Sequence, residues 1–128
     1  MGSSVHAKRT VLVVEDEPLQ RMMAMDMVED AGYEVIAVGD ATEAIRILET
    51  RLDIRVVFTD IDMPRGLDGI KLAAAIRDRW PPIEIIITSG KAWMAQQELP
   101  ARATFFPKPY RREKVVAEIN RMAAVPLM

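Results

Sequence analysis

The sequence contains no cysteine, so it has neither a disulfide framework nor a thiolate metal site. This composition suits a reducing compartment, and we expect a cytoplasmic protein. No apolar run approaches the roughly 18 residues that a membrane span needs. The N-terminus also lacks the apolar core of a signal peptide. We therefore expect no membrane association.

An excess of charge of one sign is also missing. The net charge is -2 and 28% of the residues are charged, which gives no general attraction to nucleic acid. The single histidine, His6, is too isolated in the N-terminal stretch to indicate a phosphodonor or a metal ligand. At 128 residues the chain has the length of one domain that can bury its own core.

Five short apolar segments alternate with stretches of helical periodicity. The segments are Val11 to Val14, Val35 to Val38, Val56 to Phe58, Ile83 to Ile87 and Thr104 to Phe106. Continuous apolar runs of this kind are typical of strands buried on both faces of a parallel sheet. The alternation therefore predicts βαβ units with right-handed crossovers and an open α/β sandwich.

Two of the predicted helices have distinctive features. The first begins at Pro18 and ends at Gly32, a glycine that fits a left-handed C-terminal cap. Its predicted core face consists of Leu19, Met23, Met27 and Ala31, and its methionines are expected to be packing residues. The stretch from Lys91 to Pro100 has room for only about two helical turns, so the fourth helix should be short.

Polar side chains follow four of the five predicted strands. They are Glu15, Asp16 and Glu17 after the first, Asp60 and Asp62 after the third, Thr88 and Ser89 after the fourth, and Lys108 after the fifth. In open α/β sheets, ligands bind outside the carboxyl ends of the strands. We therefore expect these side chains to form one site.

The chemistry of this residue set favours a metal and a phosphate. Crowded carboxylates repel one another unless a positive charge lies among them, and oxygen ligands are those that Mg²⁺ prefers. Lys108 and a neighbouring hydroxyl can contact phosphate oxygens, so the set suits phosphoryl transfer to a carboxylate. The Asp-x-Asp spacing of Asp60 and Asp62 taken alone also fits a phosphatase, a metal site or a polar turn.

At these residues the chain resembles the receiver domains of two-component response regulators, the family to which chemotaxis regulators belong. The motifs are VLVVEDEP, TDIDMP followed by LDG, IIITSG and FPKPY. The resemblance covers nearly all of residues 8–124 and leaves short tails at 1–7 and 125–128. It implies a flavodoxin-like (βα)5 fold, a doubly wound, five-stranded parallel sheet with strand order 2-1-3-4-5.

The resemblance also implies roles for the strand-end residues. Asp60 matches the phosphoacceptor, and Lys108 matches the lysine that contacts the acyl phosphate. The implied Mg²⁺ ligands are Glu15, Asp16, Asp60 and the backbone carbonyl of Asp62.

Two further positions match the family's conformational switch. Ser89 falls at the switch hydroxyl, with Thr88 as the alternative, and we favour Ser89 on its spacing from the third-strand motif. Phe105 falls at the aromatic switch position, where simple core packing is the alternative. Phosphorylation would shift both residues and remodel the face formed by the fourth helix, the fifth strand and the last helix.

The chain departs from the commonest family pattern in three places. The loop MPRGLDG is one residue longer, the stretch between Ser89 and Lys108 is shorter, and LPARA replaces a small-residue glycine turn before the fifth strand. Asp62 adds a negative side chain beside the phosphoacceptor. We predict that it faces Lys91 across the mouth of the site and that the two residues tune dephosphorylation.

The family implies a histidine kinase or a histidine phosphotransfer protein as the phosphodonor and an effector that the sequence does not name. It also allows a phosphorylation-dependent homodimer, and nucleic acid is not an expected ligand of this domain. We expect a signalling switch that catalyses only its own phosphorylation and dephosphorylation. Too few residues follow the last helix for an output domain, so we expect a stand-alone receiver or a piece of a longer regulator or hybrid kinase.

Two other classes fit parts of the pattern. A haloacid-dehalogenase-type phosphatase also uses Asp-x-Asp, but on its first strand and with its other acidic ligands downstream. Here Glu15 and Asp16 lie upstream of Asp60. A pseudo-receiver that only binds proteins is the second alternative, although it has no need of Asp16, Asp60 and Lys108 together.

Overall fold

The computed structural model describes residues 9–62 and 69–124. Their elements are β1 (Thr10–Val14), α1 (Pro18–Asp30), β2 (Glu34–Val38), α2 (Ala41–Thr50), β3 (Ile54–Asp60), α3 (Gly69–Arg79), β4 (Glu84–Ser89), a 3-10 helix (Ala92–Gln96), β5 (Ala103–Pro107) and α4 (Arg112–Ala123). The predicted tails at 1–7 and 125–128 and the loop residues 63–68 lie outside the described residues. No helix in the described part of the chain is both long and apolar enough to cross a bilayer.

The five strands form one parallel sheet in the order β2-β1-β3-β4-β5. The predicted α/β class and strand order are therefore confirmed. The register pairs Val14 with Thr59 and Asp60 with Thr88, so β1, β3 and β4 end at nearly the same level. Because all strands run in one direction, their carboxyl ends share one edge of the sheet.

Helices cover both faces of the sheet and form two apolar layers. Successive strand residues point to opposite faces, which places Leu12 in one layer and Val13 in the other. One layer lies beneath α2, α3 and the 3-10 helix, and it includes Leu48, Ile76 and Met94. The other lies beneath α1 and α4. Burial from both sides explains why the strands are almost uniformly apolar.

The predicted core face of α1 is only partly correct. Met27 is buried as predicted, but Leu19 and Met23 are 63% and 61% exposed, and Met22 is exposed as well. The buried face consists of Ala24, Met27 and Val28 instead. A spacing of four residues drifts by about 40° per step around a helix, so residues chosen at that spacing leave the core face within a few turns.

The predicted C-terminal cap of α1 is confirmed, and side-chain hydrogen bonds cap the start of α2. Gly32 follows α1 with a φ of 101°, which is the left-handed conformation that favours glycine. At the start of α2, the Asp40 side chain accepts a hydrogen bond from the Glu43 amide at 2.8 Å, and the Glu43 side chain accepts one from the Gly39 amide at 3.0 Å. This reciprocal arrangement satisfies amides that the first helical turn leaves unpaired.

The segment between β4 and β5 is short, as predicted, and its helix is a 3-10 helix of five residues. Arg102 has a φ of 60° just before β5, where LPARA replaces the glycine turn that is usual in the family. The Arg77 guanidinium holds the surrounding backbone together, because it donates to the carbonyls of Ala101, Pro81 and Ile83 at 2.6, 2.5 and 2.7 Å.

Candidate functional site

The polar residues that follow the strands meet at one edge of the sheet, as the sequence predicts. Those that follow β1, β3 and β5 surround a cavity of about 410 Å³. Its lining residues are Glu15, Asp16, Glu17, Pro18, Gln20, Asp60, Asp62 and Lys108. Glu17 also has a structural task, because its side chain accepts a hydrogen bond from the Gln20 amide at 2.8 Å and caps α1.

Asp60 lies at the end of the central strand β3 and is 4% exposed. One of its carboxylate oxygens accepts a hydrogen bond from the Lys108 ammonium at 2.7 Å. The other accepts one from the backbone amide of Asp62 at 2.8 Å. Both oxygens are thus held in place, and the carboxylate faces the cavity that Lys108 also lines.

Glu15 lies beside Asp60 and is 6% exposed. Burial and the neighbouring Asp60 carboxyl raise the pKa of Glu15 to about 8, although a hydrogen bond from the Glu17 amide opposes the shift. Burial and the neighbouring carboxyl group therefore both disfavour the charged form of Glu15. Asp16, the next residue, is exposed and lines the same cavity.

Lys108 follows β5 and supplies the positive charge of the site. Burial disfavours its ammonium, but the hydrogen bond and the attraction of Asp60 outweigh burial and raise the pKa of Lys108. The same ammonium lies 3.8 Å from Asp62. The backbone amide of Lys108 donates to the carbonyl of Ser89 at 2.9 Å, which ties the end of β5 to the end of β4.

The carboxylate of Asp62 reaches across to the end of β4. It accepts hydrogen bonds from the Ser89 hydroxyl and the Gly90 amide, both at 2.7 Å. Burial alone would raise the pKa of Asp62, but these donors and Lys108 lower it. The sequence did not indicate this contact, because residues 27 and 28 positions apart meet only through the pairing of β3 with β4.

Asp62 was predicted to face Lys91 across the mouth of the site, and no ion pair joins these two residues among those that the structure describes. Lys108 is the cation paired with Asp62, and Lys91 contributes a weaker attraction to the Asp62 carboxylate. The Lys91 backbone amide instead donates to the Ser89 hydroxyl oxygen at 3.0 Å. An effect of Asp62 and Lys91 on dephosphorylation stays a prediction.

The two candidate switch hydroxyls point to opposite faces of the sheet. Ser89 shares a face with Ile87, whose strand partner is Phe105 in the layer beneath α2, α3 and the 3-10 helix. Thr88 points to the other face, where its buried hydroxyl has no hydrogen-bond partner among the described residues. Phe105 packs, partly buried, on the face to which Ser89 belongs. The arrangement favours Ser89 over Thr88 as the partner of Phe105.

A second cavity, of about 650 Å³, adjoins the acidic one between α1 and the connection from β5 to α4. Its walls are largely apolar and include Met23, Met27, Phe58 and Tyr110, and Thr88 also lines it. Phe58 and Tyr110 meet edge to face, with ring centroids 5.7 Å apart. Met23 also belongs to the exposed apolar surface of α1. Because Met23 and Asp60 line the same cavity, this surface extends to the cavity that contains Asp60.

Residues 11–120 match the family model described as the response regulator receiver domain. The chain belongs to this family. The predicted family is therefore confirmed, and the chain is a receiver domain of the kind used as a signalling switch in two-component systems.

The relatives of this receiver domain include whole proteins and parts of longer ones. It is 34% identical over 122 residues to the chemotaxis protein CheY of Thermotoga maritima, covering 90% of this chain and 98% of CheY. It is 34% identical over 125 residues to the sensor kinase CckA of Brucella abortus. That match covers 94% of this chain but only 13% of the kinase.

Solved receiver structures share the fold. The response regulator receiver protein of Sinorhizobium medicae superposes with a TM-score of 0.80 at 27% identity, covering 90% of this chain and 94% of that protein. In this receiver domain, the acidic residues of β1, the aspartate of β3, the hydroxyl of β4 and the lysine of β5 all reach one edge of the sheet.

Proposed function

We propose that this domain is a phosphoacceptor switch in a two-component or phosphorelay system, with Asp60 as the residue that becomes phosphorylated. The observation that carries the proposal is the position of Asp60. Its carboxylate is held at the end of the central strand, 2.7 Å from the Lys108 ammonium, in a cavity large enough for a phosphoryl group. The phosphodonor is a phosphohistidine on a histidine kinase or a histidine phosphotransfer protein.

Mg²⁺ is the cofactor that the cavity fits. The residues that would hold it are Glu15, Asp16, Asp60 and the backbone carbonyl of Asp62. All are oxygen donors, the ligand type that Mg²⁺ prefers, and three of them are carboxyl groups that line one cavity. Within residues 9–62 and 69–124, no three acidic or histidine side chains form a ready metal cage, so water and phosphoryl oxygens would complete the ligand set. The bound ion would neutralise charge on the phosphoryl oxygens.

The transfer needs little from the protein beyond position and charge. A carboxylate oxygen of Asp60 forms a bond to phosphorus, and the bond between phosphorus and the donor imidazole nitrogen breaks. Its electron pair returns to the imidazole, which leaves neutral histidine after proton uptake. Lys108, which now holds an oxygen of Asp60, is placed to contact a phosphoryl oxygen on the same residue.

The phosphodonor has an apolar surface to dock on beside the site. Leu19, Met22 and Met23 are each about three-fifths exposed on α1, at 63%, 60% and 61%. Exposed apolar side chains grouped on one helix are typical of protein contact surfaces. The cavity lined by Met23 links this surface to Asp60, so a protein seated on α1 would bring its histidine to the carboxylate.

Phosphorylation is proposed to act through Ser89 and Phe105. Both belong to the sheet face that the 3-10 helix covers, so a shift of Ser89 toward the phosphoryl group would allow Phe105 to follow. The surface formed by the 3-10 helix, β5 and α4 would then change and select the effector. Trp93 is 51% exposed and lies on the 3-10 helix of this surface, four residues after Ser89 in the sequence.

Incubation with Mg²⁺ and a small acyl phosphate tests the proposal. We expect one phosphoryl group that is stable in acid, is released in base and maps to Asp60. A folded protein that gains no phosphoryl group would favour the pseudo-receiver. Continuous hydrolysis of phosphate esters would favour the phosphatase instead.

A further inference from the structure

Asp62 connects the end of β3, where Asp60 lies, to the end of β4, where Ser89 lies. Its own backbone amide donates to Asp60 at 2.8 Å, while its two carboxylate oxygens accept from the Ser89 hydroxyl and the Gly90 amide at 2.7 Å. The side chain is 21% exposed, so these bonds are partly shielded from water. Hydrogen bonds of this length to a charged acceptor are among the stronger ones in proteins.

The contact determines where the Ser89 hydroxyl proton points. A serine hydroxyl has one proton to donate and two lone pairs with which to accept. The Lys91 amide donates to the Ser89 oxygen at 3.0 Å, which occupies a lone pair. The single proton of Ser89 is directed at Asp62, 2.7 Å away, and is not available to another acceptor.

We infer that the hydrogen bond from the Ser89 hydroxyl to Asp62 acts as a latch, which we define as a contact that keeps this hydroxyl away from the phosphoryl group. This inference rests on the proposed phosphorylation of Asp60. In the unphosphorylated domain Asp62 holds Ser89 at the end of β4. A phosphoryl group on Asp60 can accept the Ser89 proton only after the bond from Ser89 to Asp62 breaks. Asp62 therefore lowers both the rate at which the site is phosphorylated and the population of the switched state.

The latch is distinct from simple charge repulsion. Asp62 lies 3.8 Å from the Lys108 ammonium, and its negative charge would disfavour a phosphoryl group whether or not Ser89 is present. A latch acts through the Ser89 hydroxyl and needs it. The two effects can therefore be separated by removing the hydroxyl.

The contact itself can be tested without phosphorylation. In the metal-free protein, we expect the Gly90 amide proton resonance to move upfield in Asp62→Ala, because the amide loses its carboxylate acceptor. Asp78→Asn is the matched control, since Asp78 is an exposed aspartate on α3, and we expect no change at Gly90 in that variant. An unchanged Gly90 resonance in Asp62→Ala would show that the contact does not form.

The function of the latch is tested by a double-mutant cycle with a small acyl phosphate and Mg²⁺. We expect Asp62→Ala to be phosphorylated about tenfold faster than the parent, the size typical of one charge-assisted hydrogen bond. In a Ser89→Ala background, the same substitution should accelerate phosphorylation much less, and the difference between the two backgrounds measures the contribution of the latch. Equal acceleration in both backgrounds would overturn the latch in favour of charge repulsion. If the parent itself gains no phosphoryl group, the proposed function fails, while the Gly90 measurement still decides whether Asp62 makes the contact.

Discussion

Lys108 and Asp60, 48 residues apart in the sequence, form an ion pair with a separation of 2.7 Å. Asp60 is 4% exposed, so Lys108 pairs with a carboxylate that is largely shielded from water. The side chain of Lys108 is 25% exposed, which moderates the energy of the pair. The pair orients the carboxylate that we propose as the nucleophile.

Lys108→Ala is expected to lower both the stability and the rate of phosphorylation. Loss of the ammonium removes the cation that pairs with the buried Asp60 carboxylate, and we expect a loss of about 1–2 kcal/mol in the free energy of unfolding of the metal-free protein. Urea unfolding measures the stability, and phosphate incorporation from an acyl phosphate measures the rate. Lys114→Ala, on the exposed side of α4, is the control and should leave both unchanged.

Mg²⁺ should raise the melting temperature of the parent because it binds the folded site and not the unfolded chain. Asp60→Asn removes one negative charge from the cavity, and we expect the effect of Mg²⁺ on the melting temperature to be clearly smaller in this variant. Thermal unfolding with EDTA and with millimolar Mg²⁺ provides the comparison. An identical melting temperature of the parent in EDTA and in millimolar Mg²⁺ would contradict the metal site.

The metal-free protein should lose stability as the pH rises. The pKa of Glu15 is raised from 4.5 to about 8 by burial and by Asp60, so the folded state keeps a proton that the unfolded chain releases. The resulting stability is complete below about pH 4.5 and is lost as the pH rises through about 8. For a group in this setting we expect a change on the order of 2 kcal/mol. Denaturant unfolding in EDTA at pH 5 and pH 8.5 should show this decrease, and Glu15→Gln should show little of it.

Arg77→Lys should destabilise the fold without touching the site. The guanidinium of Arg77 donates to three backbone carbonyls around the start of β4 and the turn before β5. A lysine ammonium cannot reach all three because it lacks the planar fork of donors. We expect a loss of about 1–2 kcal/mol in the free energy of unfolding. Arg79→Lys changes a surface pair with Glu49 and should cost less than half as much. Similar losses in the two variants would argue against the role of Arg77.

The sheet and most of the site were predictable because they depend on local patterns. Apolar runs such as Val11 to Val14 identified the strands, and a parallel sheet brings the residues after its strands to one edge. Glu15, Asp16, Asp60 and Lys108 are found together for that reason.

Three features that the sequence did not predict depend on tertiary contacts. Helix α1 has apolar residues on more than one face, so periodicity did not identify Leu19 and Met23 as exposed. The contact of Asp62 with Ser89 depends on the pairing of two strands and on one side-chain conformation. The positive φ of Arg102 places a left-handed residue in the turn before β5, although the LPARA stretch contains no glycine. None of these three features has a signature in a short stretch of sequence.

The identity of the phosphorylated residue is the central claim, and chemical trapping tests it most directly. The protein is treated with Mg²⁺ and a small acyl phosphate, the acyl phosphate on the protein is reduced with borohydride, and the peptides are sequenced by mass spectrometry. We predict that homoserine replaces aspartate at position 60 and that no reduced residue forms in Asp60→Asn. Reduction at another position in the parent, or no reduction in a folded protein that binds Mg²⁺, would contradict Asp60 as the phosphoacceptor.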